Sequence, residues 1–176
     1  MLMTFDPAQE RARYEARLAL LAHQDALRLE LASGVSFQPE TLESVEDQVV
    51  ETLWVEGKTL AEVDPEELAE ARASFAVLAP RRERGGQSLA ATLMLGCPDE
   101  VRDARLEALK DLPERLLLEL SDGSQAHPTV DRGTAGPGDR LPSVLALRYL
   151  IPDGLSPAAL LSTEPGLPGR WPAPAA

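Results

Sequence analysis

The chain has 176 residues and a formal net charge of −12, and residues 40–70 alone carry eleven acidic side chains against one lysine, Lys58. So concentrated an acidity disfavours nucleic acid and anionic membrane as partners, since both are polyanions. A single cysteine, Cys97, excludes an internal disulfide framework and any multi-cysteine zinc or iron–sulfur site within one chain, and a reducing compartment is the simplest reading.

Phe5-Asp6-Pro7 reads as a helix start, with Asp6 as cap, Pro7 at the first helical position and Gln9 closing a capping box. Tyr14, Leu18, Leu21 and Ala22 recur at helical spacing, which predicts a helix to about His23. The residues before it hold neither the basic nor the apolar part of a secretory signal. Leu27 to Leu31 alternates as a half-buried strand does; Ser33-Gly34 is a turn signal, and Val35-Ser36-Phe37 returns as a hairpin partner that Pro39 should end.

Leu42, Val45, Val49 and Leu53 mark a second helix, which Gly57 should stop. Asp64-Pro65-Glu66-Glu67 supplies a cap, a proline and an N3 glutamate for a third helix, with Leu68, Ala71 and Phe75 facing inward. Leu89 to Leu95 is apolar enough for a central strand covered on both faces. Pro98-Asp99 opens a fourth helix, Arg115 to Leu120 is a strand, and Ala126 to Val130 is its expected hairpin partner. Asp131 to Pro142 reads as a loop and Ser143 to Ile151 as the last strand.

From Pro152 onward proline and glycine dominate. A single domain over 1–152 is expected, followed by a tail over 153–176 with a short helix at Ser156 to Leu161 and disorder beyond Glu164. The fold class is α+β: a mainly antiparallel sheet of about five or six strands packed with about four helices. No apolar run approaches the ~18 residues of a membrane span, so a cytoplasmic protein is expected.

Complete catalytic motifs are absent from the sequence. His23 and His127 have no partner at metal-ligand spacing, and His23 suits a helix C-terminus. Neither Gly85-Gly86 nor Gly133 to Gly138 has a phosphate-cradling pattern, and no serine sits in Gly-x-Ser-x-Gly. The second helix carries Glu43, Asp47 and Glu51 at four-residue steps, an acidic stripe that is either a solvated face or a hard-cation surface. No catalytic residue, metal ligand set or cofactor is assigned.

The order of modest motifs carries more. Tyr14 and Arg17, Phe37, Gln48-Val49-Val50-Glu51-Thr52-Leu53 and Glu56, Leu78 and Pro80, Leu89 to Leu95, and Ser143-Val144 with Leu147-Arg148-Tyr149 together resemble the uncharacterised bacterial family DUF3501 over roughly residues 14–151. Departures from its pattern include Gln38 in place of Glu, Thr52 in place of Met, Trp54 at a position usually basic, Gly96 at one usually acidic, and Asp25-Ala26 in place of a basic pair. The resemblance implies genes near those of rubrerythrin-like iron proteins and iron–sulfur oxidoreductases, and hence a redox or iron-protein partner. An accessory or binding protein is therefore expected, with the acidic helix as contact surface. The alternative is a small-ligand binder or enzyme with a polar pocket between the sheet and the second helix, lined by Gln48, Glu51, Thr92 and Arg148.

Overall fold

A computed structural model describes residues 7–58, 60–131 and 141–173. Most of the loop expected between Asp131 and Pro142 lies outside the described residues, as do the cap at Asp6 and the side chains of Tyr14 and His23.

Helix α1 (Pro7–Leu27) runs four residues past the expected end and absorbs the start of the predicted strand. The hairpin β1 (Leu29–Ala32) and β2 (Val35–Glu40) follows, turning at Gly34, whose φ of 72° is one that residues with a Cβ adopt at a cost. Pro39 lies inside β2 instead of ending it. The β1 pairing stops at Leu29↔Phe37, so at Pro39 the strand has β4 on one side only, and an edge tolerates a missing N–H.

Helix α2 (Leu42–Val55) starts on a capping box: Thr41 and Ser44 exchange side-chain-to-backbone bonds of 2.8 and 3.0 Å. It ends in a Schellman motif, with Gly57 N donating to Trp54 O and Lys58 N to Leu53 O. Its Val45, Val49 and Leu53 are buried, whereas Leu42 is 69 % exposed. Helix α3 (Pro65–Phe75) is capped by Asp64, which accepts from the backbone of Glu66 and Glu67. Among the described elements it packs chiefly on α2, and its expected inner face is only half-buried.

A 3₁₀ turn (Ala76–Leu78) leads into the short β3 (Arg82–Glu83) and the long β4 (Gly86–Leu95). Then come α4 (Arg102–Ala108), α5 (Leu112–Arg115), β5 (Leu116–Leu120), β6 (Gln125–Ala126), β7 (Thr129–Asp131) and β8 (Val144–Pro152). The remaining two strands correct the expected tail. The segment read as a short helix is β9 (Pro157–Ser162), and Gly169–Pro172 is β10, paired with it. The prolines are tolerated because Pro157 opens its strand and Pro172 lies on the sheet's outermost strand. Trp171 and Leu167 pack on the core.

The strands form two antiparallel sheets, one of six strands in the order β1-β2-β4-β8-β7 with β3 also on β4, the other of four in the order β10-β9-β5-β6. The α+β class stands, with two sheets in place of one. Period-two alternation splits the large sheet. Val35, Phe37, Leu89, Ala91, Leu93, Leu95, Leu145, Leu147, Tyr149 and Ile151 face the small sheet and helices α4 and α5, forming one leucine-rich core. At its centre Tyr149 packs at 6.3 Å between ring centroids on Phe37 and donates its phenol to Leu116 O at 3.0 Å. The opposite face carries Ser36, Gln38, Glu40, Ser88, Ala90, Thr92 and Arg148, and α1 and α2 lie against its β2 side.

Candidate functional site

The polar face of the large sheet is organised around Glu40, the last residue of β2. It is 2 % exposed. Ser44 Oγ donates to its Oε2 at 2.7 Å, Gln48 Nε2 to the same oxygen at 2.9 Å, and Thr92 Oγ1 to its Oε1 at 2.5 Å. The geometry follows from periodicity. Residues 40, 44 and 48 lie at four-residue steps, so the first two turns of α2 aim their donors back at the strand end. Gln38 pairs with Thr92 across β2 and β4, which sets the Thr92 hydroxyl diagonally beside Glu40. The carboxylate also precedes the positive end of the α2 dipole.

All three donors are neutral, and among the described residues Glu40 forms no ion pair. A carboxylate offers about four lone-pair positions. Three are filled, which leaves one on Oε1.

Beside this clamp the sheet edge is notched. Strand β2 leaves β4 at Glu40↔Ala90, and β3 takes the same edge only at Arg82↔Gln87. Between them lies a cleft of about 570 Å³ with Glu40, Thr41, Glu43, Pro80, Gln87 and Ser88 in its wall. Ser88 holds the far lip: its backbone N–H donates to Arg81 O, and its hydroxyl accepts from Arg81 N at 3.0 Å and from Arg148 Nη1 at 2.6 Å.

Arg148 is half-buried and also binds the carbonyls of Ala79, at 3.3 Å, and Val77. Its closest ion-pair contact is Glu83 at 4.0 Å. Desolvation, then the neighbouring Arg81 charge, lowers its affinity for the proton, against the pull of Glu83.

Of the four residues expected to line one pocket, the structure therefore brings Gln48 and Thr92 together on Glu40. Arg148 is separate, on β8 with Ala90 between it and β2. Glu51 turns toward α1, where Arg17 lies 3.7 Å away, so no Arg148–Glu51 pair forms. Around the stripe, other acids of the segment 40–70 are paired or capping. Glu46 pairs with Arg72, Lys58 bridges Glu56 and Glu67, and Asp64 caps α3. Among the described residues no three His, Cys, Asp or Glu side chains converge as Glu43, Asp47 and Glu51 would need to for a metal ion. His127 is exposed. Sequence reasoning missed Glu40 because it followed the stripe 43/47/51 instead of 40/44/48, one helical face away.

A six-stranded antiparallel sheet, backed by a smaller sheet and carrying a buried carboxylate clamp on its helical side, defines a small α+β domain of uncharacterised type. The chain belongs to DUF3501, a family described as protein of unknown function, whose sequence model matches residues 3–159. A crystal structure of a novel protein of unknown function from Burkholderia pseudomallei K96243 is similar in fold: the TM-score is 0.73 at 19 % identity, covering 99 % of this chain and 94 % of that one. Comparison with curated proteins gives no match. None of the described helices is long and apolar enough to cross a membrane.

Proposed function

We propose that the protein binds a small ligand carrying a protonated amine in the notch between Glu40 and the β3 hairpin. The observation that carries this reading is Glu40: a buried carboxylate held by three neutral donors, with no ion pair among the described residues, in the wall of an open cleft. A buried charge is retained at a cost unless something compensates it. Glu43, exposed at the rim, adds a second negative charge. A cationic ligand complements both. Butylammonium chloride titrated into the labelled protein should shift the backbone amide signals of Thr41, Gln87 and Ser88, and Glu43→Gln should weaken the binding severalfold. Absence of saturable shifts at those amides would overturn the reading.

A protein partner from redox or iron metabolism is a second proposal. It is supported by the apolar exposure of Leu42 and Val55, 69 % and 75 %, at the two ends of an otherwise acidic helix. Affinity purification from the native cell tests it, with a Leu42→Ser, Val55→Ser double variant as control. Equal recovery of a partner by both forms would count against α2 as the contact.

A further inference from the structure

We propose that the large sheet carries a second, separate site on the part of its polar face over β8 and β7, and that this site binds a small organic anion, a carboxylate or phosphate with a short apolar body. The proposal does not depend on the amine reading of the notch.

One face of the sheet supplies the groups involved. Residues directly opposite in antiparallel strands point the same way, and alternate residues of one strand share a face. Arg148 pairs with Ala90 on one side and Thr129 on the other, and Ala146 lies two residues before it. Ser88 lies two residues before Ala90, and Arg81 stands opposite it, joined by their backbone and hydroxyl bonds. Glu83 pairs with Gly86, again on that face. Helices α1 and α2 lie against the β2 side, whereas over β8 Val144 is 59 % and Leu150 43 % exposed. Here a cleft of about 350 Å³ opens, with Val77, Arg81, Thr129, Ala146 and Arg148 in its wall. That volume is ordinary for a small-molecule site.

The charge of the cleft selects an anion. Its two guanidiniums have one carboxylate between them: Glu83 Oε1 accepts from Arg81 Nε at 3.0 Å and lies 4.0 Å from Arg148 Nη1. The hydrogen bonds of Arg148 all go to uncharged groups, the Ser88 hydroxyl and the carbonyls of Ala79 and Val77. They occupy both N–H groups of Nη1 and one of Nη2, so Nε–H and one Nη2–H of its five donors remain. Arg81 bonds through Nε and keeps both Nη groups. Guanidinium forks of this kind take carboxylate and phosphate oxygens pairwise. An anion beside the two would offset both the desolvation of Arg148 and its repulsion by Arg81.

The register sets the length of the ligand. Along β8 the rows run from Leu150, level with Ser88 and Arg81, through Arg148 to Ala146, which is opposite Asp131. The oxygens belong at the arginine end and the apolar body over Ala146 and beside Val77. Asp131, which has an interaction of its own, closes the far end with a negative charge and disfavours a second anionic group there.

Titration of the labelled full chain with butyrate, butyl phosphate, acetate, inorganic phosphate and butylammonium, followed by amide NMR signals, tests this. Butyrate and butyl phosphate should give saturable shifts at Thr129, Ala146 and Arg148, and the tighter of the two identifies the anionic group. Each should bind at least threefold more tightly than acetate or inorganic phosphate, its counterpart with a shorter chain or none. Arg81→Ala, at a side chain 60 % exposed, should weaken both at least fivefold with an unchanged thermal midpoint. Equal binding by variant and wild type would overturn the proposal. So would acetate and phosphate matching their butyl counterparts, which would mean diffuse attraction alone. Absence of saturable shifts for both butyl anions, or equal shifts with butylammonium, would also sink it. The amine reading is scored separately, by butylammonium at Thr41, Gln87 and Ser88, so either site can fail without the other.

Discussion

Glu40 and Arg148 occupy one row of the same sheet face, each directly opposite Ala90, one on either side. Opposite charges so placed could have met across a glycine or a shorter row. Instead a methyl group at a buried position stands between them, and each forms its hydrogen bonds with neutral partners. The two charges are kept apart by the fold.

The Glu40 clamp joins β2, α2 and β4, so weakening it should act on all three. Glu40→Gln turns one acceptor oxygen into a donor that faces Ser44 and Gln48 or Thr92. Unfolding by urea should show a loss of about 1–3 kcal/mol, the cost of buried polar groups left unsatisfied. Ser44→Ala should add little on top of it, because both changes break the same network. Full additivity would show that the network is not a unit.

Arg148→Lys tests the other charge. Lysine keeps the charge but cannot reach Ser88 and the two carbonyls with a planar fork. The expected outcome is faster amide hydrogen exchange over residues 76–88, with a stability loss of about 1–2 kcal/mol. Unchanged exchange in that segment would mean the arginine does not hold it.

Tyr149 supplies a pH dependence. Burial pushes its phenol well above the ordinary range near 10. In the unfolded chain the phenol loses its proton near pH 10, while in the folded chain it keeps it. The unfolded state thus binds fewer protons, and stability falls as pH rises. The stabilisation is complete below about pH 10 and is lost progressively above it. Thermal midpoints from pH 8 to 11.5 should therefore fall more steeply for the wild type than for Tyr149→Phe. Parallel curves would contradict a buried, protonated phenol.

Strand β10 makes the end of the described chain structural. Glu164 is buried, with Arg115 3.5 Å away, and Trp171 lies on the core across from Leu160. Trp171→Ala should cost about 1–3 kcal/mol for a half-buried side chain of that size. Truncation after Thr163 should cost more and leave β9 as an exposed edge, visible as aggregation on heating. A truncated chain with an unchanged midpoint would show that β10 is dispensable.

Legibility differed by element for physical reasons. Helices α2 and α3 could be read because 3.6-residue spacing agrees with a stop glycine in one and a cap in the other: Gly57 and Asp64 act as their residue types predict, while the Thr41 cap of α2 emerged only in the structure. The Ser33-Gly34 turn was readable for the same reason. The small sheet was not, because β9 and β10 are short and carry Pro157 and Pro172, and composition there argues against pairing that only tertiary contact supplies. Of the site, Gln48 and Thr92 were visible as polar residues in apolar contexts. Glu40 was hidden among eleven acids, and only the diagonal register with Thr92 distinguishes it.

Two glycines offer a paired comparison. A Cβ on Gly34 would lie 2.0 Å from Gly96 O, while one on Gly57 meets nothing within 4 Å, although both have positive φ. Gly57→Ala should cost about 1–2 kcal/mol for the left-handed backbone alone. Gly34→Ala should carry that and a further cost of about 1–3 kcal/mol for overpacking. Equal losses in chemical denaturation would refute the close approach.

That close approach has a reach beyond its own turn. Gly96 N donates to Gly34 O at 2.7 Å, so two bare backbones meet at one end of the β2–β4 pairing and Glu40 lies at the other. Were β2 to slip by one residue, a side chain would have to enter that contact, and every residue of the strand would change faces. Glu40 would then point into the leucine core and Pro39 toward Thr92. The steric fit of a turn thus acts as a key for the strand, selecting the one alignment in which the carboxylate meets its three donors.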